Sequence, residues 1–185
     1  MSLPKYFDYM SSTPMLPEVV AYLHDVLNDP SWANASSYAH AFGERSRQYV
    51  HLAAQQVSSA IGATPQDIVW TSGATEANNL AIKGAATFYR RQGSHLITMA
   101  TEHQSVLDAC HHLTSEGMTE SILQPQSNGV LNLDDLQRAL RQDTVLVSIM
   151  MVNNETGIWQ DIAAIAAMVH QAGALLHVDA SQAVG

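Results

Sequence analysis

The sequence is poor in cysteine, in charged residues and in long apolar runs. It has one cysteine in 185 residues, so no internal disulfide can form and nothing indicates secretion. Only 14% of the residues are charged, yet no window reaches the roughly 18 apolar residues of a membrane span. The first residues, Met1 to Tyr9, lack the apolar segment of a signal peptide. These absences predict a cytoplasmic protein with no membrane association.

Basic residues are the scarcer of the two charged classes. There are 8 Lys and Arg against 17 Asp and Glu, which gives a formal net charge of −9. A nucleic-acid partner requires a basic face, so this balance argues against nucleic acid as the main partner. The apolar content of 46% excludes a disordered chain. The nine histidines show no ligand spacing that predicts a metal site.

The apolar residues switch between helical and strand periodicity along the whole chain, with no internal repeat. The first predicted helix begins at Pro17, and the other five cover 44–61, 76–91, 106–115, 133–141 and 162–171. The predicted strands cover 68–71, 95–100, 121–123, 145–152 and 174–178. Gly62 is predicted to end the second helix and Asn132 to cap the fifth. Strands that alternate with helices predict an α/β fold with three layers and a mostly parallel sheet.

Two strands carry further information about the sheet. The run 145–152 is nearly all apolar, which is typical of a central strand covered on both faces. The strand at 174–178 is followed by only seven residues, 179–185. We therefore expect the sheet to be incomplete at its C-terminal end, and to pair with another segment or continue in a longer protein.

Candidate functional residues follow the strands, because ligands of open parallel sheets bind beyond the carboxyl ends of the strands. After the strand at 68–71, Gly73 makes a turn, with Ala74 and Thr75, into the helix predicted over 76–91. Unpaired N–H groups at such a helix start can hold a phosphate, with the Thr75 hydroxyl as a further donor. The alternative is that Ser72 or Thr75 only caps the helix.

The other three strand ends supply an imidazole, an amide and a carboxylate. His103 can stack on a planar ligand or move a proton, or it can lie in the first turn of a surface helix. The pair Asn153 and Asn154 can bind a ligand or only form a turn. Asp179 follows an apolar strand, where a carboxylate needs a cationic partner or hydrogen bonds, or it can be a helix N-cap. Together the four ends suit pyridoxal phosphate, with a nucleotide-binding domain as the competing interpretation.

Five sequence motifs resemble those of a known family. They are YFDYMSSTP (6–14), DIVWTSGATEANNLAIKGAA (67–86), ATEHQSVLDAC (100–110), TVLVSIMMVNNETGIWQDI (144–162) and LLHVDASQAVG (175–185). The sequence resembles the cysteine desulfurases, in the class V branch of fold-type I pyridoxal-phosphate enzymes, of the type that feeds iron–sulfur cluster assembly. This resemblance implies an N-terminal arm over 1–15, on the small-domain side, and a partial cofactor-binding large domain over 16–185.

The resemblance also assigns roles to six residues. Ala74 and Thr75 bind the cofactor phosphate, His103 stacks on the pyridine ring and helps to move protons, Asn154 lies near the ring hydroxyl and the substrate carboxylate, Asp179 pairs with the ring nitrogen, and Gln182 reaches the ring oxygen. The implied reaction removes sulfur from L-cysteine, giving L-alanine and a persulfide for a sulfur-acceptor or scaffold protein. The implied assembly is a homodimer.

The sequence departs from the family pattern in three places. The family's cofactor-binding lysine lies downstream of the stretch ending at residue 185, and neither Lys5 nor Lys83 matches it. The loop with the nucleophilic cysteine is downstream as well, and Cys110 falls at helical spacing on a core-facing side. Residues 34–37 are Asn-Ala-Ser-Ser, where the family usually has Asn-Pro-Ser-Ser.

These departures leave three hypotheses for the chain. The first is a cysteine-desulfurase portion that keeps half of the cofactor site and is inactive alone. The second is a non-catalytic fragment that acts in binding or assembly. The third is another class V enzyme, such as a selenocysteine lyase or an aminotransferase.

Overall fold

The computed structural model describes residues 4–184, which form two compact units, Met1–Trp70 and Thr71–Gly185. Residues 1–3 of the predicted arm and residue 185 of the predicted large domain lie outside the described residues. The observed division follows Trp70, and the domain boundary expected after residue 15 stays a prediction.

Six α-helices and four strands are described. The helices are α1 (Pro17–Leu27), α2 (Ala41–Ile61), α3 (Ala74–Phe88), α4 (Gln104–Ser115), α5 (Leu133–Ala139) and α6 (Ile162–Gln171), and the strands are β1 (His95–Met99), β2 (Thr119–Leu123), β3 (Thr144–Ser148) and β4 (Leu175–His177). None of the helices described between residues 4 and 184 is long and apolar enough to cross a membrane.

The first unit holds α1, α2 and a 3₁₀ turn at Pro65–Asp67. α2 ends at Gly62, as predicted, because that residue takes a left-handed backbone conformation with φ of 72°. An ion pair joins Arg45 of α2 to Asp29, with 3.0 Å between the guanidinium and the carboxylate. Ser46 accepts a hydrogen bond from the backbone N–H of Ala33 at 3.1 Å, so the loop after α1 is attached to α2.

The second unit is built on a parallel sheet with the strand order β2-β1-β3-β4. Every residue of β1 and β3 is buried, which confirms the prediction of a central strand in the apolar run near residue 145. The helices between the strands begin where side chains cap them. Asn132 caps α5, as predicted, and Asp161 caps α6.

Helices cover both faces of this sheet, and the three-layer prediction is confirmed. Apolar residues of β1 alternate between two clusters: Leu96 packs with α3 and α4, and Ile97 packs with α5 and α6. On the first face, Ile82 of α3 is fully buried, and on the second face Leu136 of α5 is too. The sheet is therefore the middle layer of an α/β/α arrangement.

One predicted strand is wrong, and several boundaries differ. Residues 68–71 form no strand, because strands need a paired neighbour and the four described strands pair only with one another. The strand predicted over 145–152 is shorter and ends at Ser148. α3 begins at Ala74, two residues before the predicted start, because Gly73 and not the apolar pattern sets its first turn.

A buried histidine joins three strands at the end of the sheet opposite the strand ends that carry the candidate residues. His95 places Nδ1 2.8 Å from the Thr144 hydroxyl and Nε2 2.9 Å from the Ser121 hydroxyl. Burial, and then the positive charge of Arg141, lower the pKa of His95, with Asp143 opposing this. The imidazole is therefore neutral at pH 7 and connects β1 to β2 and β3.

Candidate cofactor site

Asp179 is a buried carboxylate that directly follows the last described strand. It is 5% exposed. Its Oδ2 atom accepts a hydrogen bond from Asn78 Nδ2 at 2.8 Å, and Oδ1 accepts from the N–H and hydroxyl of Ser181 at 3.0 and 2.6 Å. Burial acts to raise the pKa of Asp179, but these hydrogen bonds and the nearby His177 outweigh it and leave the pKa below its ordinary value. Asp179 is therefore ionised at neutral pH.

No basic side chain forms a salt bridge with Asp179 anywhere in residues 4–184. Nor is it a helix N-cap, since the residues after it form a turn that its own side chain closes. A buried anion that lacks a cationic partner suits a ligand that carries a positive charge. The protonated ring nitrogen of pyridoxal phosphate is such a group, so the carboxylate fits this cofactor.

Asn78 connects Asp179 to the helix that follows β1. Its second Nδ2 hydrogen bond goes to the Ser105 hydroxyl at 3.0 Å, and that hydroxyl lies 2.8 Å from Nδ1 of His103. The Ser105 N–H also donates to His103 Nδ1, at 3.1 Å. Because Nδ1 accepts from a backbone N–H, the proton of the neutral imidazole is on Nε2. The network therefore fixes both the place and the tautomer of the His103 ring.

The first turn of α3 has the free donors expected of a phosphate site. Within residues 4–184 the structure records no acceptor for the N–H groups of Ala74 and Thr75. Neither of the two predicted caps is formed: the N-cap is Gly73, and Ser72 instead donates its hydroxyl and N–H to the Glu76 carboxylate at 2.6 and 2.7 Å. The donors of this turn face no competing side-chain cap from the described residues.

The two neighbouring asparagines after β3 have different roles. Asn153 forms the turn, because its Oδ1 accepts from the N–H groups of Glu155 and Thr156 at 3.0 and 2.8 Å. Its Nδ2 donates to the backbone carbonyl of Thr101 at 2.9 Å. Asn154 is half-buried, and its side chain forms no hydrogen bond that the structure records within residues 4–184. Its amide is available for a ligand.

The structure thus connects most of the predicted site residues. His103 and Asp179 share one network through Asn78, and Asn78 lies about one helical turn after Thr75. Gln182 is exposed in the turn that follows Asp179. Asn78, Ser105 and Ser181 were not predicted as site residues from the sequence. The sequence spacing could have identified Ser105 and Ser181, because each lies two residues after a predicted polar site residue. A side chain commonly hydrogen-bonds to the backbone two residues further on.

Cys110 lies in the core, as its helical spacing predicted. It is buried among apolar residues of α4, and burial, with the charges of Glu120 and Glu102, raises the pKa of its thiol to about 12. We expect no reaction with Ellman's reagent at pH 8 in the native protein and one thiol per chain in urea. Rapid labelling of the native protein would contradict this and would reopen a role for Cys110 in sulfur transfer.

Comparison with known proteins identifies the family of the chain. The model of the aminotransferase class V family matches residues 5–185. The chain belongs to this family. Its sequence is 50% identical to cysteine desulfurase IscS of Photorhabdus laumondii, and 50% identical to that of Pectobacterium atrosepticum, over the whole chain in both cases. In each, the chain spans about half of the relative, 46% of its length.

Solved structures show the same fold. A structure described as SspA in complex with cysteine superposes with a TM-score of 0.91 at 37% identity, and covers 97% of this chain and 51% of its own. DndA from Streptomyces lividans gives a TM-score of 0.83 at 36% identity, over 97% of this chain and 50% of its own. The predicted resemblance to the cysteine desulfurases is confirmed, and so is the fold class.

Proposed function

We propose that this chain is the N-terminal part of a pyridoxal-phosphate-dependent cysteine desulfurase and carries half of its cofactor site. The observation that carries the proposal is Asp179, a buried, ionised carboxylate without a salt bridge in the described residues, at the carboxyl end of a parallel sheet. The similarity to the IscS enzymes supports L-cysteine as substrate. We also propose a sulfur-acceptor or scaffold protein as partner, a homodimer and a cytoplasmic location, as the family resemblance implies.

Each site residue has a separate task in this proposal. The N–H groups of Ala74 and Thr75 bind the cofactor phosphate, Asp179 holds a proton on the ring nitrogen, and Gln182 binds the ring oxygen. When bound, the cofactor withdraws electrons from the substrate carbon next to its nitrogen, which weakens the bonds at that carbon. His103 lies against the ring with Nε2 protonated, so it can donate one proton and then accept one. Asn154 offers an amide to the substrate carboxylate.

The lysine that the family uses has no candidate in the second unit. Lys83 lies about two and a half turns into α3, away from the first turn that carries the phosphate donors. We propose that the lysine and the nucleophilic cysteine come from sequence that follows this segment in a longer or complementary chain. The large domain of the proposal extends over 16–185, with residues 1–15 as an arm.

Binding of pyridoxamine 5'-phosphate by the chain tests the half-site directly, because this amine needs no lysine to bind. We expect one molecule per chain by calorimetry, and binding of pyridoxamine, which lacks the phosphate, at least about tenfold more weakly. Equal affinity for the two compounds would contradict the phosphate site. No binding of either at millimolar concentration would contradict the half-site as a whole.

A second measurement tests whether the chain is inactive alone, as proposed, or is an active enzyme by itself. The chain is incubated with pyridoxal phosphate, reduced with borohydride and weighed intact, together with every polypeptide that co-purifies. We expect no stoichiometric adduct on Lys5 or Lys83, and no alanine from added L-cysteine. An adduct on one of these lysines, with alanine formed, would show that this chain completes the site by itself.

A further inference from the structure

Glu102 is the other buried carboxyl group of the second unit, and no role has been assigned to it so far. It lies between Thr101 and His103, in the turn after β1, and is 7% exposed. Its Oε1 atom accepts a hydrogen bond from the N–H of Met150 at 2.6 Å, whereas Oε2 is buried without a partner in the described residues. Carboxyl groups are rarely buried without a hydrogen-bonding partner, and a buried oxygen that has none requires a structural or functional explanation.

Glu102 accepts the hydrogen bond that a backbone carbonyl of a neighbouring strand would otherwise accept from the Met150 N–H. Beyond the end of β3, the N–H groups of Ile149 and Met151 point to the β4 side, to the carbonyls of His177 and Asp179 at 3.1 and 2.9 Å. The N–H between them, on Met150, points to the β1 side. The recorded pairing of β1 with β3 ends at Ile97 and Val147, so no β1 carbonyl serves Met150. The Glu102 carboxyl group continues the ladder there.

A second hydrogen bond joins the same two segments. Asn153 donates from Nδ2 to the carbonyl of Thr101, the residue before Glu102, at 2.9 Å. The turn after β1 and the turn after β3 are thus joined at two points. His103 directly follows one of these points and Asn154 directly follows the other. The spacing between these two candidate site residues therefore depends on Glu102.

From this geometry we infer that Glu102 is a positioning residue of the cofactor site, whose carboxyl group holds the turn carrying His103 against the turn carrying Asn154. This inference rests on the proposed function for the cofactor, although the connection between the two turns does not. Glu102 itself touches neither cofactor nor substrate in this role.

The surroundings of Glu102 favour the protonated form of its carboxyl group at pH 7. Burial raises the pKa of Glu102 to about 8; the Met150 N–H lowers it, and the charge of Asp179 raises it. The titratable groups that interact with it are Asp179, after β4, and the thiol of Cys110, in α4. Neither can supply a positive charge. Above pH 8 an ionised Glu102 would face Asp179 as a second buried anion, so the site should bind its cofactor more weakly there.

Two substitutions separate the hydrogen bond from the charge. Glu102→Gln keeps an oxygen acceptor for Met150 and has no charge at any pH, whereas Glu102→Leu has a similar size and no acceptor. Glu116→Gln is the control, because it removes an exposed carboxylate whose recorded partner within residues 4–184 is His112. Amide hydrogen exchange of Met150, measured by NMR without any cofactor, reports the connection itself. Titration with pyridoxamine 5'-phosphate between pH 6 and 9.5 reports its effect on the site.

We expect Met150 to exchange at least about tenfold faster in Glu102→Leu, while Ile149 and Met151 remain protected through β4. Glu102→Gln should retain the protection. Its affinity for pyridoxamine 5'-phosphate should equal that of the unsubstituted chain at pH 7 and exceed it severalfold at pH 9. At pH 9 the glutamate of the unsubstituted chain is ionised, whereas glutamine carries no charge. Glu116→Gln should change neither quantity.

Three results would overturn the inference. The first is unchanged Met150 exchange in Glu102→Leu, and the second is an equal rise at Ile149, Met150 and Met151, which would indicate general loosening. The third is an affinity of Glu102→Gln that follows the same pH profile as the unsubstituted chain, and this arm decides the matter if Glu102→Leu does not fold. Failure of the unsubstituted chain to bind would contradict the proposed function, and the exchange experiment would still decide whether Glu102 joins the two turns.

Discussion

Replacing Asp179 with asparagine is expected to weaken the binding of pyridoxamine 5'-phosphate by about 10- to 100-fold. The substitution keeps the shape of the side chain and removes the charge that we propose faces the ring nitrogen. A hydrogen bond to a charged group contributes about 1.5–3 kcal/mol, and each 1.4 kcal/mol corresponds to about a tenfold change in affinity. The measurement is calorimetric titration at pH 7, where Asp179 is ionised because its pKa is lowered.

The matched control for this substitution is Asp134→Asn. It makes the same change in net charge at an exposed position in the first turn of α5. We expect its affinity to stay within about twofold of the unsubstituted chain, because exposed charges interact weakly at physiological salt. If Asp179→Asn kept full affinity while the unsubstituted chain bound one equivalent, the ring nitrogen would not lie at Asp179. Far-UV circular dichroism verifies that the variant is folded.

The second large effect is expected for the neighbouring pair Asn78 and Asn79. Asn78 is buried and donates to Asp179 and Ser105, whereas Asn79 donates only to the carbonyl of Thr75 within its own helix, at 2.9 Å. Asn78→Ala leaves a buried charge with one donor fewer and should lower the free energy of unfolding by about 2–4 kcal/mol. Asn79→Ala should stay within about 0.5 kcal/mol, because alanine has the better helix propensity.

Urea denaturation of the two variants provides this comparison, and its pH dependence has a defined sign. The lowered pKa of Asp179 contributes stability that is present above its ordinary value of 3.8 and is lost as the pH falls through the folded-state value. The difference between Asn78→Ala and the unsubstituted chain should therefore shrink below about pH 3.8. Equal destabilisation by the two variants would show that the bonds of Asn78 carry no particular weight.

The sequence predicted those parts of the fold that depend on local pattern. The helix periodicity located α6 to the residue, and Asn132 and Gly62 marked helix ends, because caps act through the immediate backbone. The strand over 68–71 was wrong for a related reason. Its local pattern suits a strand, but a strand also needs a partner, which a local pattern does not contain.

The candidate site divides in the same way. His103 and Asp179 became candidates because they follow β1 and β4, and parallel topology places strand ends together. Ala74 and Thr75 follow none of the described strands, and their prediction depends on the helix start alone. Asn78 and Glu102 were not given roles, since their partners lie 101 and 48 residues away along the chain. Hydrogen bonds over such distances leave no spacing to recognise. Only the folded structure shows that an asparagine inside α3 contacts Asp179 and that the glutamate before His103 contacts Met150.

The separation of 101 residues between Asn78 and Asp179 has a consequence for when this site can exist. Closing so long a loop costs chain entropy, which the intervening strand pairs of β1, β3 and β4 must first offset. In an intermediate without β4 in place, Asp179 is not held against Asn78, so the proposed site lacks the carboxylate that would face the ring nitrogen of the cofactor. A ligand that binds only the completed sheet shifts the folding equilibrium by mass action. In the cell, the supply of cofactor would thereby set how much of the chain survives proteolysis.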